Sequence, residues 1–354
     1  MTPSRAGAMV CVLILVLAGC DTATEPAPGG TGSDGVFILN EGAYLAGNAE
    51  LSFYDISTGT VSGNLYSAAN DGATLGDVAN AMVRQGERLI IAVNNSARLD
   101  IVDILTHRSL GRIQLPGLPR QIAVAGSDKA YVTMQDSTIA IVDLQQMSYV
   151  RSISTGPFPD GVVRTQGRVF ILNSGFGSGS SISVIDEASD SVVATIRTPD
   201  GPTYAALGPD GRIYTVCTGR SDFSDPSNDT PGAVLVIDPA SFQIVDSLSI
   251  DGHPGKFVLD SMGSIYILGP GPYPSTPVWK LESVPSLRIV TTSLVEGSFY
   301  GIGINEGRKE LYLADAGSFQ TNGSVVITAL DGSGRSVLNS GIGIAPHAFI
   351  VVDR

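Results

Sequence analysis

Eight residues with side chains suited to holding an organic ligand lie near the starts of apolar segments in this 354-residue chain. Most of them follow a proline by one or two positions. Together they supply amides, cations, a carboxylate and phenols, the kinds of polar group that orient a ligand in a mainly apolar pocket. These candidate ligand-binding residues are Asn80, Arg120, Gln121, Asp160, Tyr204, Lys256, Tyr300 and His347.

Five aromatic residues occupy the tips of long, glycine-rich segments that resemble exposed loops. Exposed aromatic rings suit stacking on a flat organic ligand or anchoring a protein partner. The alternative is that each ring packs on a neighbouring loop and has only a structural role. The five are Tyr44, Phe176, Phe223, Tyr273 and Phe319.

One unit recurs seven times and must position these residues. It consists of an apolar strand such as VFILN, a turn rich in glycine or asparagine, and a second apolar strand that usually ends in an acid. The acids follow one another at intervals of 40 to 52 residues, the size of a four-stranded propeller blade. The pattern predicts an all-β, seven-bladed β-propeller and excludes a helical solenoid. We expect the recurring acids to cap turns through backbone hydrogen bonds.

The two ends of the repeat region predict how the ring closes. The segment before Val36 contains no strand, so the first unit lacks its leading strand, whereas Ala345 begins a strand with no unit after it. Pairing the two would complete the first blade and hide both sheet edges. The eight polar candidates then ring the mouth of the central channel, on the face that has the long loops. We expect the opposite face to have only short turns, with His107 exposed in one of them.

Catalysis is not expected, and no cofactor is predicted. The three histidines lie in different units, and the motifs C-x-x-C-H, H-E-x-x-H and G-x-S-x-G are absent. A propeller enzyme of lactonase or oxidoreductase type is the alternative. No metal site is expected either, although one acidic loop has enough oxygen donors to be a weak calcium candidate: Asp222, Asp225, Asn228 and Asp229.

The N-terminus predicts export. Residues 6–17 are apolar, too short to span a bilayer comfortably, and Leu17-Ala18-Gly19-Cys20 resembles a bacterial lipobox. We expect a signal peptide at 1–19, a lipidated Cys20 with a flexible tether at 20–35, and the propeller at 36–354. An ordinary signal peptide is the alternative. Cys217 has no partner left for a disulfide and is expected to be a small buried hydrophobe.

The repeats resemble the YVTN-type bacterial propellers, of which the YncE-like proteins are a well-known group. The similarity is strongest in NEGAYLAGNAELSFYD (Asn40 to Asp55) and LGDVANAMVRQGERLIIAVNNSARLDIVD (Leu75 to Asp103). These segments resemble a surface-lipoprotein branch whose members lie beside nutrient transporters and include proteins that capture cobalamin. The resemblance therefore implies a propeller fold and a location in the cell envelope, at the outer membrane or at the cell surface.

These observations predict a non-catalytic, monomeric envelope lipoprotein that captures a small molecule, such as a corrinoid, on its loop-rich face for an outer-membrane transporter. An interaction scaffold for an envelope protein is the alternative. The formal net charge of −13 argues against nucleic acid as a partner, and membrane contact is expected through the lipid anchor only.

Overall fold

A computed structural model describes residues 34–271 and 274–353 of the chain. Within these residues the chain forms 28 β-strands, one short α-helix, α1 (Leu65–Ala69), and two 3-10 turns at Gly175–Gly177 and Pro226–Asn228. No helix in this part of the chain is long and apolar enough to cross a membrane. The expected signal peptide and the lipidation site at Cys20 lie outside the described residues, as does Tyr273.

The first half of the strands comprises β1 (Gly35–Asn40), β2 (Glu50–Asp55), β3 (Thr60–Ser62), β4 (Ala79–Gln85), β5 (Arg88–Val93), β6 (Arg98–Asp103), β7 (Ser109–Gln114), β8 (Pro119–Ala125), β9 (Lys129–Met134), β10 (Thr138–Asp143), β11 (Ser148–Ser154), β12 (Pro159–Thr165), β13 (Arg168–Asn173) and β14 (Ser181–Asp186). The second half comprises β15 (Ser191–Arg197), β16 (Pro202–Leu207), β17 (Ile213–Cys217), β18 (Gly232–Asp238), β19 (Gln243–Ile250), β20 (Phe257–Leu259), β21 (Ser264–Leu268), β22 (Val278–Glu282), β23 (Arg288–Val295), β24 (Gly301–Asn305), β25 (Glu310–Asp315), β26 (Ser324–Ala329), β27 (Ser336–Leu338) and β28 (Pro346–Val352).

These strands form seven antiparallel sheets of four, which confirms the predicted seven-bladed β-propeller. Blades 2 to 7 each consist of four consecutive strands, from β4–β7 to β24–β27. Blade 1 has the order β28-β1-β2-β3, so the last strand of the chain is its innermost strand. The pairing runs from Gly35 opposite Val352 to Asn40 opposite Pro346, as the two ends of the repeat region predict.

Apolar side chains between neighbouring blades form the core. In blades 2 and 3, the second and third strands are almost wholly buried because another sheet covers each of their faces, and their sequences are therefore mostly apolar runs. Ile90 and Leu99 of blade 2, for example, pack with Val132 and Ala140 of blade 3. The outermost strands are mostly exposed.

Five of the six recurring acids cap turns, as predicted, whereas the sixth, Glu282, pairs with Arg288. The five carboxylates accept hydrogen bonds of 2.7–3.0 Å from backbone N–H groups two or three residues further on. At Asp186 the hydrogen bonds from Ser189 hold the carboxyl pKa below its usual value. The acids that cap in this way are Asp55, Asp103, Asp143, Asp186 and Asp238.

The structure corrects the expectation that His107 is exposed. Its side chain is buried, with 1 % of its surface accessible, and its ring meets the edge of the Phe37 ring. The end of α1, a helix that the repeat pattern did not predict, also lies against the turn that contains His107. Asn70, at the end of this helix, donates a hydrogen bond to the His107 carbonyl, and the Glu50 carboxylate accepts from the backbone N–H of Tyr66 at the helix start.

Cys217 ends β17 with no accessible surface, as expected for a packing residue. Burial raises the pKa of its thiol to about 12, so almost no thiolate forms at neutral pH. We therefore expect the peptide that contains Cys217 to be labelled by a thiol reagent only as fast as the protein unfolds. A cysteine introduced at exposed Ser180 should react at once, and fast labelling of both sites in the native protein would contradict the burial of Cys217.

Candidate functional site

Hydrogen bonds between loops define two different faces of the propeller. On the loop-rich face, the loop between the second and third strands of a blade contacts an inter-blade connection, as where the Glu41 N–H donates to the Ala345 carbonyl over 3.0 Å. On the short-turn face, the two hairpin turns of one blade meet, as where the Ile104 N–H donates to the Glu87 carbonyl over 2.9 Å. The innermost strands begin at the loop-rich face, which places the predicted polar residues there.

Five of the eight predicted polar residues form the boundary between two cavities in the central channel. A mouth cavity of about 160 Å³ opens toward the loop-rich face, and a channel cavity of about 220 Å³ lies on its other side. The five residues that line both cavities, here called the mouth ring, come from five different blades: Asn80, Gln121, Tyr204, Lys256 and His347. Arg120 and Tyr300 line the mouth cavity but not the channel cavity.

The charged side chains beside the mouth ring form hydrogen bonds or ion pairs with other side chains of the protein. Arg120 forms a bidentate pair with Asp160, at 2.9 and 3.3 Å, and donates a third hydrogen bond to the Asn80 carbonyl oxygen. Glu41 is buried and accepts from the Asn80 amide at 2.7 Å and from the Tyr300 hydroxyl at 2.9 Å. Burial raises the pKa of Glu41, although Lys256 and these hydrogen bonds oppose the shift. Asp160 and Glu41 line neither cavity.

Lys256 and His347 form the centre of the mouth ring. The Lys256 ammonium lies 2.8 Å from His347 Nδ1, and His347 Nε2 lies 2.8 Å from the Ala79 carbonyl oxygen. Because the carbonyl can only accept, Nε2 has the proton and Nδ1 accepts from the ammonium. Burial and the Lys256 charge lower the pKa of His347 well below its usual value, so the imidazole is neutral. Burial also lowers the pKa of Lys256 to about 8, which leaves the ammonium mostly charged at neutral pH.

Aromatic rings form one wall of the mouth cavity. The Lys256 ammonium lies 4.9 Å from the centre of the Tyr300 ring, a cation–π contact. Phe319 meets the same ring edge-on at 4.9 Å, so this predicted loop aromatic packs on a mouth-lining residue but lines neither cavity itself. Tyr204 is half-buried on the other side, and its burial raises the pKa of its phenol to about 12.

The other predicted aromatics do not join the mouth. Phe176 is 70 % exposed and stacks on Phe158 with ring centres 4.4 Å apart, and it lines a groove of about 590 Å³ with the fully exposed Phe223. Tyr44 is 69 % exposed on the loop of blade 1. The expected outer circle of aromatics therefore divides into Phe319, which packs on the mouth-lining Tyr300, and separate surface residues.

The acidic loop uses its oxygens for its own turns. Asp222 accepts from the N–H groups of Ser224 and Asp225, Asp225 accepts from Ser227, and Asp229 accepts from the Asp222 N–H. The described residues contain no group of three or more histidine, cysteine, aspartate or glutamate side chains arranged to hold a metal ion. The hydrogen bonds account for the acidic composition of this loop without a cation.

A serine of the same loop pairs with a histidine of the β19–β20 connection, an arrangement that the sequence motifs did not reveal. Ser221 Oγ lies 2.7 Å from His253 Nε2, and His253 Nδ1 lies 2.8 Å from the Thr218 carbonyl oxygen. His253 also lines the mouth cavity. The carbonyl fixes the imidazole tautomer, so that Nε2 is free to accept the serine proton.

Glu41 is the site residue that sequence reasoning missed. The acid follows β1 directly, whereas the corresponding position after the equivalent strands is not acidic in most blades. Its contacts join residues 259 positions apart in the chain, because ring closure brings blade 7 next to blade 1. Only closure of the ring makes this acid part of the site.

Solved structures with the same fold are distant in sequence. A Quinonprotein alcohol dehydrogenase-like protein from Bacteroides thetaiotaomicron is 17% identical with a TM-score of 0.65, covering 89% of this chain and 77% of that one. A 6-phosphogluconolactonase-like protein from Bacteroides uniformis is 14% identical with a TM-score of 0.65, and the match covers 90% of this chain and 100% of that one. A functionally unknown protein from Desulfotomaculum acetoxidans is 11% identical with a TM-score of 0.66, covering 90% and 99%. These likenesses establish the propeller fold alone.

Family membership follows from the sequence itself. No curated protein matches the chain. The profile of a family described as a domain of unknown function (DUF5074) matches residues 34–251, well over half of the chain. The protein is therefore a seven-bladed β-propeller that belongs to the DUF5074 family.

Proposed function

We propose that this protein is a binding protein that captures a small ligand at the mouth of its central channel. The observation that supports this proposal is the mouth ring, in which five blades each contribute one polar side chain to the boundary between two cavities. Convergent polar groups beside aromatic walls are the usual composition of a ligand site. A cavity of about 400 Å³ with polar lining residues also lies on the short-turn face, but among the described residues only blades 2 and 3 line it, so polar groups do not converge there from around the ring.

The size of the cavities limits how the ligand sits. Ligand pockets usually measure roughly 300–1,000 Å³, whereas the mouth cavity has a volume of about 160 Å³. A ligand would therefore place one group in the mouth and lay the rest over the loop-rich face, next to Phe319 and Tyr300. A corrinoid, the ligand class that the YncE-like resemblance implies, would have to lie flat across this face.

The direction in which the chain enters the propeller is compatible with a tethered binding protein. The Asp34 carbonyl accepts a hydrogen bond from the Ile56 N–H, within a hairpin turn of the short-turn face. Asp34 thus enters the propeller on the face opposite to the mouth. With the lipid anchor that we propose at Cys20, the protein would be held in the cell envelope from the face that does not bind the ligand.

The Ser221–His253 pair favours a second candidate, a hydrolase that uses Ser221 as its nucleophile. A nucleophile bonded to an oriented base is the general arrangement for acyl transfer. Here a neutral carbonyl orients the imidazole, and it stabilises an imidazolium less than a carboxylate would. A fluorophosphonate probe decides between the two candidates: we expect no labelling of Ser221 above that of other exposed serines, and labelling that is lost in His253→Ala would establish the hydrolase.

Substitution of Tyr204 tests the binding proposal. Tyr204→Ala removes a mouth-ring side chain that forms no hydrogen bond to another described residue through its hydroxyl, so the fold should survive. Loss of an aromatic anchor typically costs about 2 kcal/mol, roughly a thirtyfold loss of affinity. Native mass spectrometry of protein isolated from its own host should show a bound small molecule that Tyr204→Ala loses, and cyanocobalamin should raise the melting temperature of the wild type more than that of the variant.

The matched control is Tyr149→Ala, which truncates an exposed tyrosine on the outermost strand of blade 3. It should retain the bound molecule. Retention by Tyr204→Ala, or co-isolation of a protein partner with no small molecule, would favour the interaction scaffold instead.

A further inference from the structure

We infer that the group that the ligand places in the mouth cavity is a small anion, a carboxylate or a phosphate. The inference rests on the proposed binding function and adds the chemistry of the ligand. It follows from the donors that line the cavity and from the absence of acidic side chains among them.

The mouth cavity has a cationic lining in a protein that has 34 acidic and only 21 basic residues. Among the described residues, neither the mouth cavity nor the channel cavity is lined by aspartate or glutamate, whereas Lys256 lines both and Arg120 lines the first. The two nearby acids, Glu41 and Asp160, hydrogen-bond to protein donors instead.

The Lys256 ammonium has N–H groups that donate to no acceptor among the described residues. An ammonium has three N–H groups, and within the described chain one of them donates to His347 Nδ1. That acceptor is a neutral imidazole, so no carboxylate is hydrogen-bonded to the ammonium. The Glu41 and Asp160 charges favour the ammonium from a distance, but neither carboxylate forms an ion pair with it, and an anion in the cavity would offset the remaining cost of burial.

Two neutral hydrogen-bond donors complete the proposed anion site. The Tyr204 hydroxyl and the Gln121 side-chain amide form no hydrogen bond to any other described residue, and both side chains line the two cavities together with Lys256. Three blades thus direct donors at one small space. A volume of about 160 Å³ is below the usual size of a pocket that encloses a whole ligand, but it is enough for a carboxylate or phosphate group.

Titration with small probes tests the inference directly. Trp279, the one tryptophan of the chain, packs against Gly269, which lines the mouth cavity, so its fluorescence reports on binding there. Inorganic phosphate and acetate should each produce a saturable change, and the stronger of the two identifies the anion class. Acetamide, the neutral analogue of acetate, should produce none.

Lys256→Met keeps the side-chain stem and removes the charge, and it should weaken anion binding roughly thirtyfold, as expected for loss of a charge-assisted hydrogen bond. Lys280→Met is the matched control, because Lys280 also lies over a tyrosine ring, that of Tyr266, but lines neither cavity. The control should bind anions as the wild type does.

The outcomes separate this inference from the function on which it rests. Equal binding of acetamide and acetate, or unchanged anion binding by Lys256→Met, would overturn the inference that the mouth cavity binds an anion. If Lys256→Met also retains the small molecule that Tyr204→Ala loses, the binding function stands and only the anion is wrong. If Tyr204→Ala retains that molecule too, the binding function fails at the mouth.

Discussion

Removal of residues 345–354 should abolish the cooperative folding of the propeller. These residues supply β28, the innermost strand of blade 1, and all six residues of its neighbour β1 are buried. Without β28, β1 would present an unpaired, apolar edge to solvent, and such edges pair with other chains. We expect the truncated protein to aggregate or elute as an oligomer in size-exclusion chromatography, and to lose the single unfolding transition of the wild type in urea.

A pair of matched substitutions shows whether strand closure, rather than the length of the chain, is responsible. Val352→Asp places a carboxylate where the valine has no accessible surface and should cost several kcal/mol. Val337→Asp makes the same change at the outermost strand of blade 7, where the valine is 46 % exposed, and should change stability by less than about 0.5 kcal/mol. Equal losses from the two variants would contradict a ring closed by β28.

Asp100→Ala should destabilise the protein by about 3 kcal/mol. The Asp100 carboxylate has no accessible surface and pairs with Arg98 at 2.7 Å and Arg112 at 2.8 Å, while the Tyr66 hydroxyl lies 3.3 Å away. Removal of the carboxylate leaves Arg98, which is 19% exposed, without its ion-pair partner. Tyr66 belongs to α1, so we also expect loss of the helix packing against the turn that contains His107.

Urea unfolding measures this loss, with Glu282→Ala as the control. Glu282 pairs with Arg288 at an exposed position, and exposed ion pairs contribute about 0–1 kcal/mol. A loss for Asp100→Ala no larger than that for Glu282→Ala would show that the buried pair contributes little.

The mouth residues were predictable because the propeller repeats them. Each polar candidate lies at the start of the innermost strand of its blade, so a seven-fold repeat in the sequence becomes a ring in space. The repeat also predicted the turn-capping acids, since a strand, an acid and a turn are contiguous in the chain. These features depend on local sequence alone.

Contacts between loops were not predictable in the same way. Phe319 and Phe176 both looked like loop aromatics, yet Phe319 packs on Tyr300 in the mouth and Phe176 stacks on Phe158 at the surface. Similarly, His107 follows a recognisable turn, but it is buried, and the end of α1 from the preceding segment lies against that turn. Each outcome depends on which neighbouring segment reaches the side chain.

The sequence by itself therefore determined the all-β class, the seven blades, the shared first blade and the residues at the channel mouth. The tertiary structure decided that Glu41 completes the network at the mouth, that Lys256 donates to a neutral His347, and that, within residues 34–271 and 274–353, no acid lines the two cavities. The physical reason is the separation along the chain between the residues that interact. Strand pattern and turn chemistry act over a few neighbouring residues, whereas burial, hydrogen-bond partners and charge at the mouth arise from blades that are far apart in the chain and meet only when the ring closes.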